Sequence, residues 1–421
     1  MNKKRVVITG LGTVSPYGCG TEVFWKSITN GKSGIKTLTR MPSEGHTTTI
    51  GGEITTFNDE VEKNNLIDKK EIKRMDRYTQ FALVAANEAL NDSKINIDNE
   101  NPYRIGVVMG TGAGGFDTFE KQHKIIIQKG PTKCSPFTVP MLISNMASGR
   151  IAMQIGAKGI NKAIVTACAS SSHCIGDAFR SIQYDDADII FAGGSEAIIT
   201  HIGIGAFSAA RTLSKRNNEP TKASRPFDKD RDGFIMSEGA GCLVLEELEH
   251  ALNRKAKIYA EIIGYGQTAD AYDMVAPDPN GLGAIKSMEL ALKDAQIEPN
   301  KINYINAHGT STHIGDIIET KAIANVFGEL KTNKNLKVSS TKSMHGHMIG
   351  ATGAIEAIVC TKAIENNIIP PTINLENQDP EVANLNYVPN FAIKEEVNYA
   401  LSNSFGFGGQ NASLIFKKYI K

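Results

Sequence analysis

Short apolar runs that end at glycines recur along the chain and predict strands. The first run spans residues 5–14 and contains Gly10 and Gly12, and a second, 103–109, leads into a glycine-rich turn. Continuous apolar runs of this length are typical of strands that are buried on both faces. Between them lie segments such as residues 68–92, whose apolar positions recur at helical spacing. The alternation of the two patterns predicts an α/β fold.

The order of these elements begins again near residue 256, which indicates an internal duplication. Four later segments resemble earlier ones: 256–266 the opening strand, 302–310 residues 104–111, 337–341 with the helix 353–365 the segment around Cys168, and 412–416 residues 242–246. We therefore predict two α/β halves, residues 1–255 and 256–421, with insertions that enlarge the first. Active sites in such sheets lie where strand ends converge.

The segment 162–172, Lys-Ala-Ile-Val-Thr-Ala-Cys-Ala-Ser-Ser-Ser, places a cysteine where a strand turns into a helix. The β-branched run 163–165 predicts a buried strand. The N–H groups at the start of a helix stabilise a thiolate, so we expect the pKa of the Cys168 thiol to be lowered. A lone cysteine is more often a buried structural residue. The nucleophile hypothesis therefore depends on partners elsewhere in the chain.

Histidines follow two strands of the second half. His308 lies in the segment 306–312, and His345 and His347 lie in the segment 341–350. Because these strands correspond to those of the first half, a cysteine and histidines far apart in sequence can meet at one point. The interpretation requires Cys168 to lie within about 8 Å of His308 or His347, the reach of a two-carbon unit. Glycines in the segment 402–410 allow a backbone N–H to approach the same point.

Composition excludes several classes of protein. The 421 residues carry a formal net charge of +1, so we expect no general attraction to nucleic acid. No apolar run approaches the ~20 residues of a membrane span, so we expect no membrane insertion. Six scattered cysteines without a C-x-x-C pair predict a reducing compartment. We expect the bacterial cytoplasm, or the plastid stroma if a targeting segment has been removed.

Three patterns in the sequence are similar to cofactor- or metal-binding motifs but do not predict such sites. The glycines at 10–12 and 110–114 do not complete a dinucleotide-binding motif. The residues Asp228, Asp230, Asp232 and Gly233 imitate a calcium loop, but its twelfth position is Gly239, so we expect a solvated turn. Cys168 with His345 and His347 offers zinc ligands, but the expected nucleophile needs a free thiolate and space beside it. We therefore expect no metal.

Five motifs in combination resemble those of the β-ketoacyl-acyl-carrier-protein synthases of the thiolase fold, above all the type II elongating enzymes. They are Thr-Ala-Cys-Ala-Ser-Ser at 166–171, Asp-Lys-Asp-Arg-Asp-Gly-Phe-Ile-Met-Ser-Glu-Gly-Ala-Gly at 228–241, His-Gly-Thr-Ser-Thr at 308–312, Lys-Ser-Met-His-Gly-His at 342–347, and Phe-Gly-Phe-Gly-Gly at 405–409. The resemblance implies a five-layered α/β/α/β/α arrangement and a homodimer. It also implies acyl carrier protein as the partner, whose phosphopantetheine arm holds the substrates, and no separate cofactor.

The resemblance also implies the roles of individual residues. Cys168 takes an acyl chain as a thioester, and His308 and His347 hold the enolate oxygen that forms when malonyl loses CO₂. The backbone N–H groups of Cys168 and Phe407 form a second oxyanion hole, and Phe407 is a gate. Lys342 corresponds to the family's catalytic lysine, with Asp316, Glu319 and Glu356 as its polar network. Further roles are substrate contacts (Thr310, Thr312, Phe405, and Ala113 in the acyl pocket) and carrier docking (Lys70, Lys73 and Arg74). His345 is expected to be a bystander.

Other functions of the same fold are separated by single residues. A degradative thiolase would carry a second cysteine in the segment 404–409, which has none. An initiating synthase would pair the cysteine with His and Asn, where this chain has His347. A non-catalytic chain-length factor would lack the nucleophile. A polyketide-type ketosynthase or a non-elongating homologue stays open as an alternative.

Overall fold

A computed structural model describes residues 3–42 and 44–420. Within them the strands are β1 Val6–Ser15, β2 Gly18–Cys19, β3 Lys36–Thr37, β4 Ile50–Gly51, β5 Ile105–Gly110, β6 Asn161–Lys162, β7 Ile189–Glu196, β8 Gly239–Glu247, β9 Ala260–Ala269, β10 Tyr304–Asn306, β11 Lys337–Ser339, β12 Ile368–Ile369, β13 Ile393–Lys394, β14 Tyr399–Gly406 and β15 Gln410–Lys417.

The helices alternate with these strands. They are α1 Thr21–Thr29, α2 Phe57–Lys63, α3 Lys69–Ile72, α4 Arg77–Ser93, α5 Phe116–Lys129, α6 Thr138–Leu142, α7 Met146–Ile155, α8 Ser170–Gln183, α9 His201–Ala209, α10 Pro220–Ala223, α11 Leu248–Asn253, α12 Leu282–Ala295, α13 His313–Phe327, α14 Lys342–His345 and α15 Thr352–Asn366. None of these described helices is both long enough and apolar enough to cross a bilayer.

The topology of the main sheet confirms the predicted internal repeat. Its strand order is β11-β10-β14-β15-β9-β1-β8-β7-β5-β6, with β2 attached to β1. Read outward from the central β1–β9 pair, the two halves run β1-β8-β7-β5-β6 and β9-β15-β14-β10-β11. In both halves the strands next to the edge are parallel and the others are antiparallel. The four pairs of segments matched in the sequence therefore occupy equivalent positions.

Helices separate and cover the two halves of the sheet in the predicted five layers. The central layer consists of α8, which packs on β7 and β5, and α15, which packs on β14 and β8, and these helices also contact each other. On the outer faces, α4 packs on β1 and β8, and α12 packs on β9 and β15. The buried apolar cluster of the central layer joins residues of both halves, among them Ile175, Phe179, Ile355 and Leu414.

Glycine pairs in the two equivalent central strands explain how the outer helices come so close. A Cβ at Gly12 of β1 would lie 1.9 Å from the Ala85 carbonyl oxygen of α4, and a Cβ at Gly266 of β9 would lie 1.9 Å from that of Ser287 in α12. Any side chain would force the helix away from the sheet. The glycines that imitate a nucleotide-binding motif at the chain's start therefore serve packing.

Two predicted elements differ from the structure. The helix expected over residues 68–92 is two helices, α3 and α4, because Asp76 caps the second by accepting from the Tyr78 N–H. The strand expected at 163–165 is wrong: β6 ends at Lys162 and Val165 is 52% exposed, because this segment lies at the edge of the sheet.

Candidate active site

The nucleophile turn is held in a fixed conformation by local hydrogen bonds. Ala167 has a positive φ of 49°, which a residue other than glycine adopts only when its surroundings enforce it. The Ser170 hydroxyl accepts from the Thr166 N–H (2.9 Å) and donates to the Ala167 carbonyl (2.7 Å). Cys168 therefore lies in a single 3₁₀ turn, Ala167–Ala169, immediately before the central helix α8.

The two predicted histidines converge on this sulfur. His347 precedes α15, the helix equivalent to α8, and its Nε2 lies 3.0 Å from Cys168 Sγ. His308 follows β10, and its ring stands edge-on to that of His347 with 5.4 Å between centroids. Ligand-type atoms of all three side chains lie within 4.8 Å of one another. The distance that the sequence interpretation required is therefore met.

Burial controls the protonation of these three groups. It raises the pKa of the Cys168 thiol to about 12, although the positive charge of Lys342 and the N–H of Phe407 act in the opposite direction. The expectation of a lowered pKa is therefore wrong for this closed pocket, because desolvation of a thiolate outweighs the nearby dipoles. Burial and Lys342 hold the pKa values of His308 and His347 well below 6.5. Both imidazoles are neutral at neutral pH.

Thr352 provides the hydrogen bond that orients the His347 ring. Its hydroxyl lies 2.9 Å from Nδ1 of His347. When this hydroxyl donates to Nδ1, the neutral ring carries its proton on Nε2 and offers it towards the space beside Cys168. The Phe234 ring packs edge-on against His347 at 5.2 Å. Phe234 belongs to the motif 228–241, in which Asp228 and Arg231 are buried, whereas Asp230 and Asp232 are exposed, as expected of a solvated turn.

The β14–β15 hairpin supplies the predicted backbone donor. The N–H of Phe407 approaches Cys168 Sγ, as does the N–H of Cys168 itself. A Cβ at Gly406 would lie 3.1 Å from the Cys168 nitrogen, so only glycine allows the hairpin this close. The Phe407 ring is half-buried and stacks on Phe207 of α9, with 6.1 Å between centroids. The ring thus lines the same cleft as Cys168, and its role as a gate stays a prediction.

The polar network around Lys342 agrees with the prediction for two of three acids. Lys342 donates to Glu356 (2.5 Å), and both side chains are buried. Glu319 lies close enough to Lys342 for its charge to be felt, and its carboxylate accepts from the N–H groups of His308 (2.7 Å) and Gly309 (2.6 Å). It therefore fixes the backbone that carries His308.

Asp316 does not belong to that network as predicted. Its carboxylate accepts from the N–H groups of Phe227 (2.9 Å) and Ser311 (3.1 Å) and lies 3.6 Å from Arg231. Although Asp316 and Glu319 lie one turn apart on α13, they contact different loops. Asp316 shapes the loop that follows His308 and joins it to the segment 225–231.

The predicted substrate contacts line the cleft above Cys168. The hydroxyls of Thr310 and Thr312 lie 3.0 Å apart at its wall, which Phe405 and Phe407 complete. Ala113 lies beside an apolar cluster that includes Cys168 and extends away from it: Leu38, Met41, Ile198, Ile199, Ile204, Leu213, Phe234, Met236 and Ile349. The cleft offers the Thr310 and Thr312 hydroxyls within walls that are largely apolar, and the apolar cluster adjoins the same sulfur, which suits a substrate with an acyl chain and a polar arm.

His345 points away from this cluster. Its Nδ1 donates to the Gly346 carbonyl (2.8 Å), its Nε2 lies 3.0 Å from the Thr341 hydroxyl, and its ring packs against Phe24. Burial lowers its pKa to about 3. These local contacts agree with the expected bystander.

One buried acid near the site was not predicted from the sequence. Glu196 ends β7 and accepts from the N–H groups of Gly112 (2.6 Å) and Gly350 (3.0 Å). Burial raises its pKa to about 7. The sequence did carry a signal for this residue: a carboxylate that closely follows a Gly-Gly pair near the end of the strand, in a segment of otherwise small residues. Glu196 ties the glycine-rich turn that precedes α5 to the turn that precedes α15.

The two remaining groups of candidates lie outside this cluster. Asp228 accepts from the N–H groups of Asp230, Glu376 and Asn377, so it organises a loop of the protein itself. Among the described residues, one group of three side chains has its potential metal-ligand atoms close enough to share an ion, and that group is Cys168, His308 and His347. The predicted docking residues Lys70, Lys73 and Arg74 are exposed on and after α3.

Comparison with known proteins places the chain in a family. The model of the beta-ketoacyl synthase N-terminal domain matches residues 3–251, and that of the beta-ketoacyl synthase C-terminal domain matches residues 259–376. The chain belongs to the beta-ketoacyl synthase family. Within this family, a 3-oxoacyl-[acyl-carrier-protein] synthase 2 of Synechocystis sp. is 50% identical over 419 residues, which cover 100% of this chain and 99% of the relative. A protein of the same name from Staphylococcus aureus is 51% identical over 416 residues, 99% of each chain.

Solved ketosynthase structures share the whole fold. The ishigamide ketosynthase/chain length factor superposes with a TM-score of 0.92 at 34% identity, and a beta-ketoacyl synthase from Burkholderia phymatum with 0.89 at 33%. A type II polyketide ketosynthase in complex with its acyl-carrier protein gives 0.90 at 35%. Each match covers 99% of this chain and 100% of the other. These ketosynthases confirm the predicted fold class.

Proposed function

We propose that the chain is a 3-oxoacyl-[acyl-carrier-protein] synthase that elongates fatty acids by two carbons. The observation that carries the proposal is the contact of Cys168 Sγ with His347 Nε2 at 3.0 Å, with His308 beside both. Two neutral imidazoles next to a thiol suit a reaction that makes an acyl thioester and then a neighbouring enolate. The full-length relatives that are about 50% identical carry this activity in their names.

In the first half-reaction, Cys168 sulfur attacks the thioester carbonyl of an acyl chain on acyl carrier protein. The N–H groups of Cys168 and Phe407 hold the tetrahedral oxyanion. The C–S bond to the carrier breaks, the carrier's thiol takes the proton that leaves Cys168, and the chain stays on the enzyme. Because the resting thiol is protonated, its proton must leave as the sulfur attacks.

In the second half-reaction, malonyl on a carrier protein loses CO₂. The electrons of the broken C–C bond form an enolate, whose oxygen accepts hydrogen bonds from His308 and His347. Each donor of this kind is worth roughly 3–4 kcal/mol in the barrier. The enolate carbon then attacks the acyl-Cys carbonyl, and the Cys168 thiolate leaves and regains a proton. Burial, together with the charge of Lys342, lowers the pKa of both imidazoles and keeps them unprotonated.

The same proposal covers the partner, the assembly and the compartment. The phosphopantetheine arm of acyl carrier protein would enter past Thr310 and Thr312 and deliver both substrates, so no separate cofactor is needed. Six free cysteines fit a reducing compartment, the bacterial cytoplasm or a plastid stroma. The two halves, divided near residue 255, would act as one catalytic unit because the site takes residues from both.

A homodimer is supported by the edge of the sheet and the apolar surface beside it. The edge strand β6 leads into the exposed Val165, and Ile127 of α5 and Val139 of α6 are 73% and 64% exposed. An uncovered sheet edge beside exposed apolar side chains is typical of an interface. Val165→Lys should therefore shift the protein from dimer to monomer in light scattering coupled to gel filtration. An unchanged mass would contradict this interface.

The elongation activity is tested by incubating the enzyme with acyl and malonyl carrier proteins and measuring the 3-ketoacyl product by mass. The wild type should form the product, and Cys168→Ala should form neither the acyl-enzyme nor the product. Release of CO₂ without condensation by the wild type would rule out elongation. Full condensation by Cys168→Ala would rule out the nucleophile assignment.

A further inference from the structure

A buried histidine that the mechanism does not use lies directly behind the nucleophile turn. His173 is on α8, one and a half turns after Cys168, and only 6% of it is exposed. Its ring lies edge-on to Tyr265 and borders a surface pocket with Thr166 and Asp177. Neither the acyl cluster nor the cleft above the sulfur includes it. A buried polar ring outside both substrate regions needs a separate explanation.

One edge of the His173 ring holds the residue that opens the nucleophile turn. Nδ1 lies 2.6 Å from the Thr166 hydroxyl. The Thr166 carbonyl accepts from the Ala169 N–H (3.0 Å), so the backbone of this threonine already closes the turn around Cys168. A hydrogen bond to its side chain therefore fixes the direction in which the turn presents the N–H of Cys168.

The other edge of the ring faces the hairpin that supplies the second donor. The backbone of Asn411, which lies in β15 just after the turn that carries Phe407, is close enough to the ring to act on the pKa of His173 in the direction opposite to burial. Burial lowers the pKa of His173, so the ring is neutral and has one donor and one acceptor. A ring that donates to Asn411 and accepts from Thr166 satisfies both nitrogens without burying a charge.

The two segments that His173 joins also touch each other. A Cβ at Gly406 would lie 2.9 Å from the Thr166 carbonyl oxygen and 3.1 Å from the Cys168 nitrogen. At that contact each segment contributes one N–H to the sulfur. A small change in the separation of the segments would therefore move one donor away from the developing oxyanion.

We propose that His173 is a positioning residue that sets the separation of the Cys168 and Phe407 N–H groups. It spans the nucleophile turn and the β14–β15 hairpin through Thr166 and Asn411. The inference rests on the proposed function, because the oxyanion hole matters only if Cys168 is acylated. It predicts that loss of the contacts made by His173 slows acyl transfer and leaves simple alkylation of the same sulfur unchanged, since alkylation forms no oxyanion.

The experiment compares two rates at Cys168 in four variants. Single-turnover formation of the acyl-enzyme from acyl carrier protein uses the oxyanion hole, and alkylation by iodoacetamide does not. Thr166→Val keeps the shape of the side chain and removes the hydroxyl, and His173→Phe removes both contacts. Both should slow acylation about ten- to a hundredfold and change alkylation by less than about twofold. Thr166→Ser should restore most of the acylation rate.

Asp177→Ala is the matched control. Asp177 lies on the same helix and borders the same pocket, but it contacts Lys162 (2.9 Å) and not Thr166. It should leave both rates unchanged. Wild-type acylation in Thr166→Val, or equal losses of acylation and alkylation, would overturn the role of His173. A wild-type enzyme that is alkylated but never acylated would instead overturn the proposed function.

Discussion

Replacing Glu319 by Gln tests whether the buried carboxylate positions His308 for decarboxylation. Glu319 is 3% exposed, and its two oxygens accept from the backbone N–H groups of His308 (2.7 Å) and Gly309 (2.6 Å). Gln has nearly the same shape but only one acceptor oxygen. Its NH₂ group would face one of the two N–H groups, donor against donor, and leave that group without a partner.

The expected loss follows from that one unpaired group. An unsatisfied buried donor costs about 1–3 kcal/mol. If the backbone relieves this cost by moving His308, the rate of CO₂ release should fall by about 5- to 150-fold, at 1.4 kcal/mol for each factor of ten. Acylation of Cys168, which does not need His308 in the proposed mechanism, should change by less than about twofold. The two rates are measured separately on acyl and malonyl carrier proteins.

Protonation offers a second measurement on the same residue. Burial raises the pKa of Glu319 to about 7. Its carboxylate is therefore fully charged above that pH, and it gains a proton and loses one acceptor as the pH falls through 7. CO₂ release by the wild type should fall on the acid side, and Glu319→Gln should be flatter there. The difference between the two profiles isolates Glu319 from Asp316 and Glu196, which titrate in the same region.

Glu88→Gln is the matched control for this prediction. Glu88 is partly buried and also accepts from two backbone N–H groups, those of Thr13 (2.8 Å) and Thr21 (2.6 Å), but it lies in α4 away from the cleft. It should lower thermal stability with no effect on CO₂ release. Wild-type CO₂ release in Glu319→Gln would refute the positioning argument. An equal slowing in Glu88→Gln would show that any such loss acts through stability alone.

Three further predictions concern substrate, partner and stability. Ala113→Phe should fill the apolar cluster beside Cys168 and shorten the longest acyl chain accepted, measured as kcat/KM across chain lengths; an unchanged series would contradict this placement. Lys70→Glu with Lys73→Glu should raise KM for acyl carrier protein, more so at low salt, and an unchanged KM would exclude docking there. His250, which contacts Glu246 at 2.6 Å, has its pKa raised to about 9 by that carboxylate. It should stabilise the fold by roughly 1–2 kcal/mol below pH 6.5, less than the full shift implies because solvent screens this partly exposed pair, and lose this as the pH rises through 9, so an equally steep decline in His250→Gln, measured by urea unfolding, would refute it.

The repeat was predictable because a duplicated fold repeats its order of strands even where residues differ. The match of 302–310 to 104–111 depends only on apolar runs and glycines, and β10 and β5 do occupy equivalent positions. Convergence of Cys168 with the histidines follows from that equivalence, since each residue lies at the end of a corresponding strand or the start of a corresponding helix. Strand order was therefore enough to bring the reactive atoms together.

The electrostatics of the site were not predictable in the same way. Local sequence places Cys168 before a helix, which argues for a lowered pKa. Phe234, Met236 and Ile349 come from distant segments and pack with the sulfur in one cluster. The burial of the thiol raises its pKa by more than the nearby dipoles lower it. The partners of Asp316 were missed for the same reason. The spacing on α13 shows that it shares a face with Glu319, but the loop that reaches it comes from the first half of the chain.

The choice between His345 and His347 shows where a motif needs tertiary structure. In the sequence the two histidines flank Gly346 symmetrically, and only the resemblance to the family favoured the second. In the structure Gly346 has a φ of 74°, which reverses the direction of the side chains around it. The segment 235–237 then fixes the second histidine: the His347 N–H donates to the Ile235 carbonyl (2.7 Å), and its carbonyl accepts from the Ser237 N–H (2.9 Å). Because that segment belongs to the motif beginning at residue 228, the histidine that meets Cys168 is selected by a pairing between the two halves of the chain.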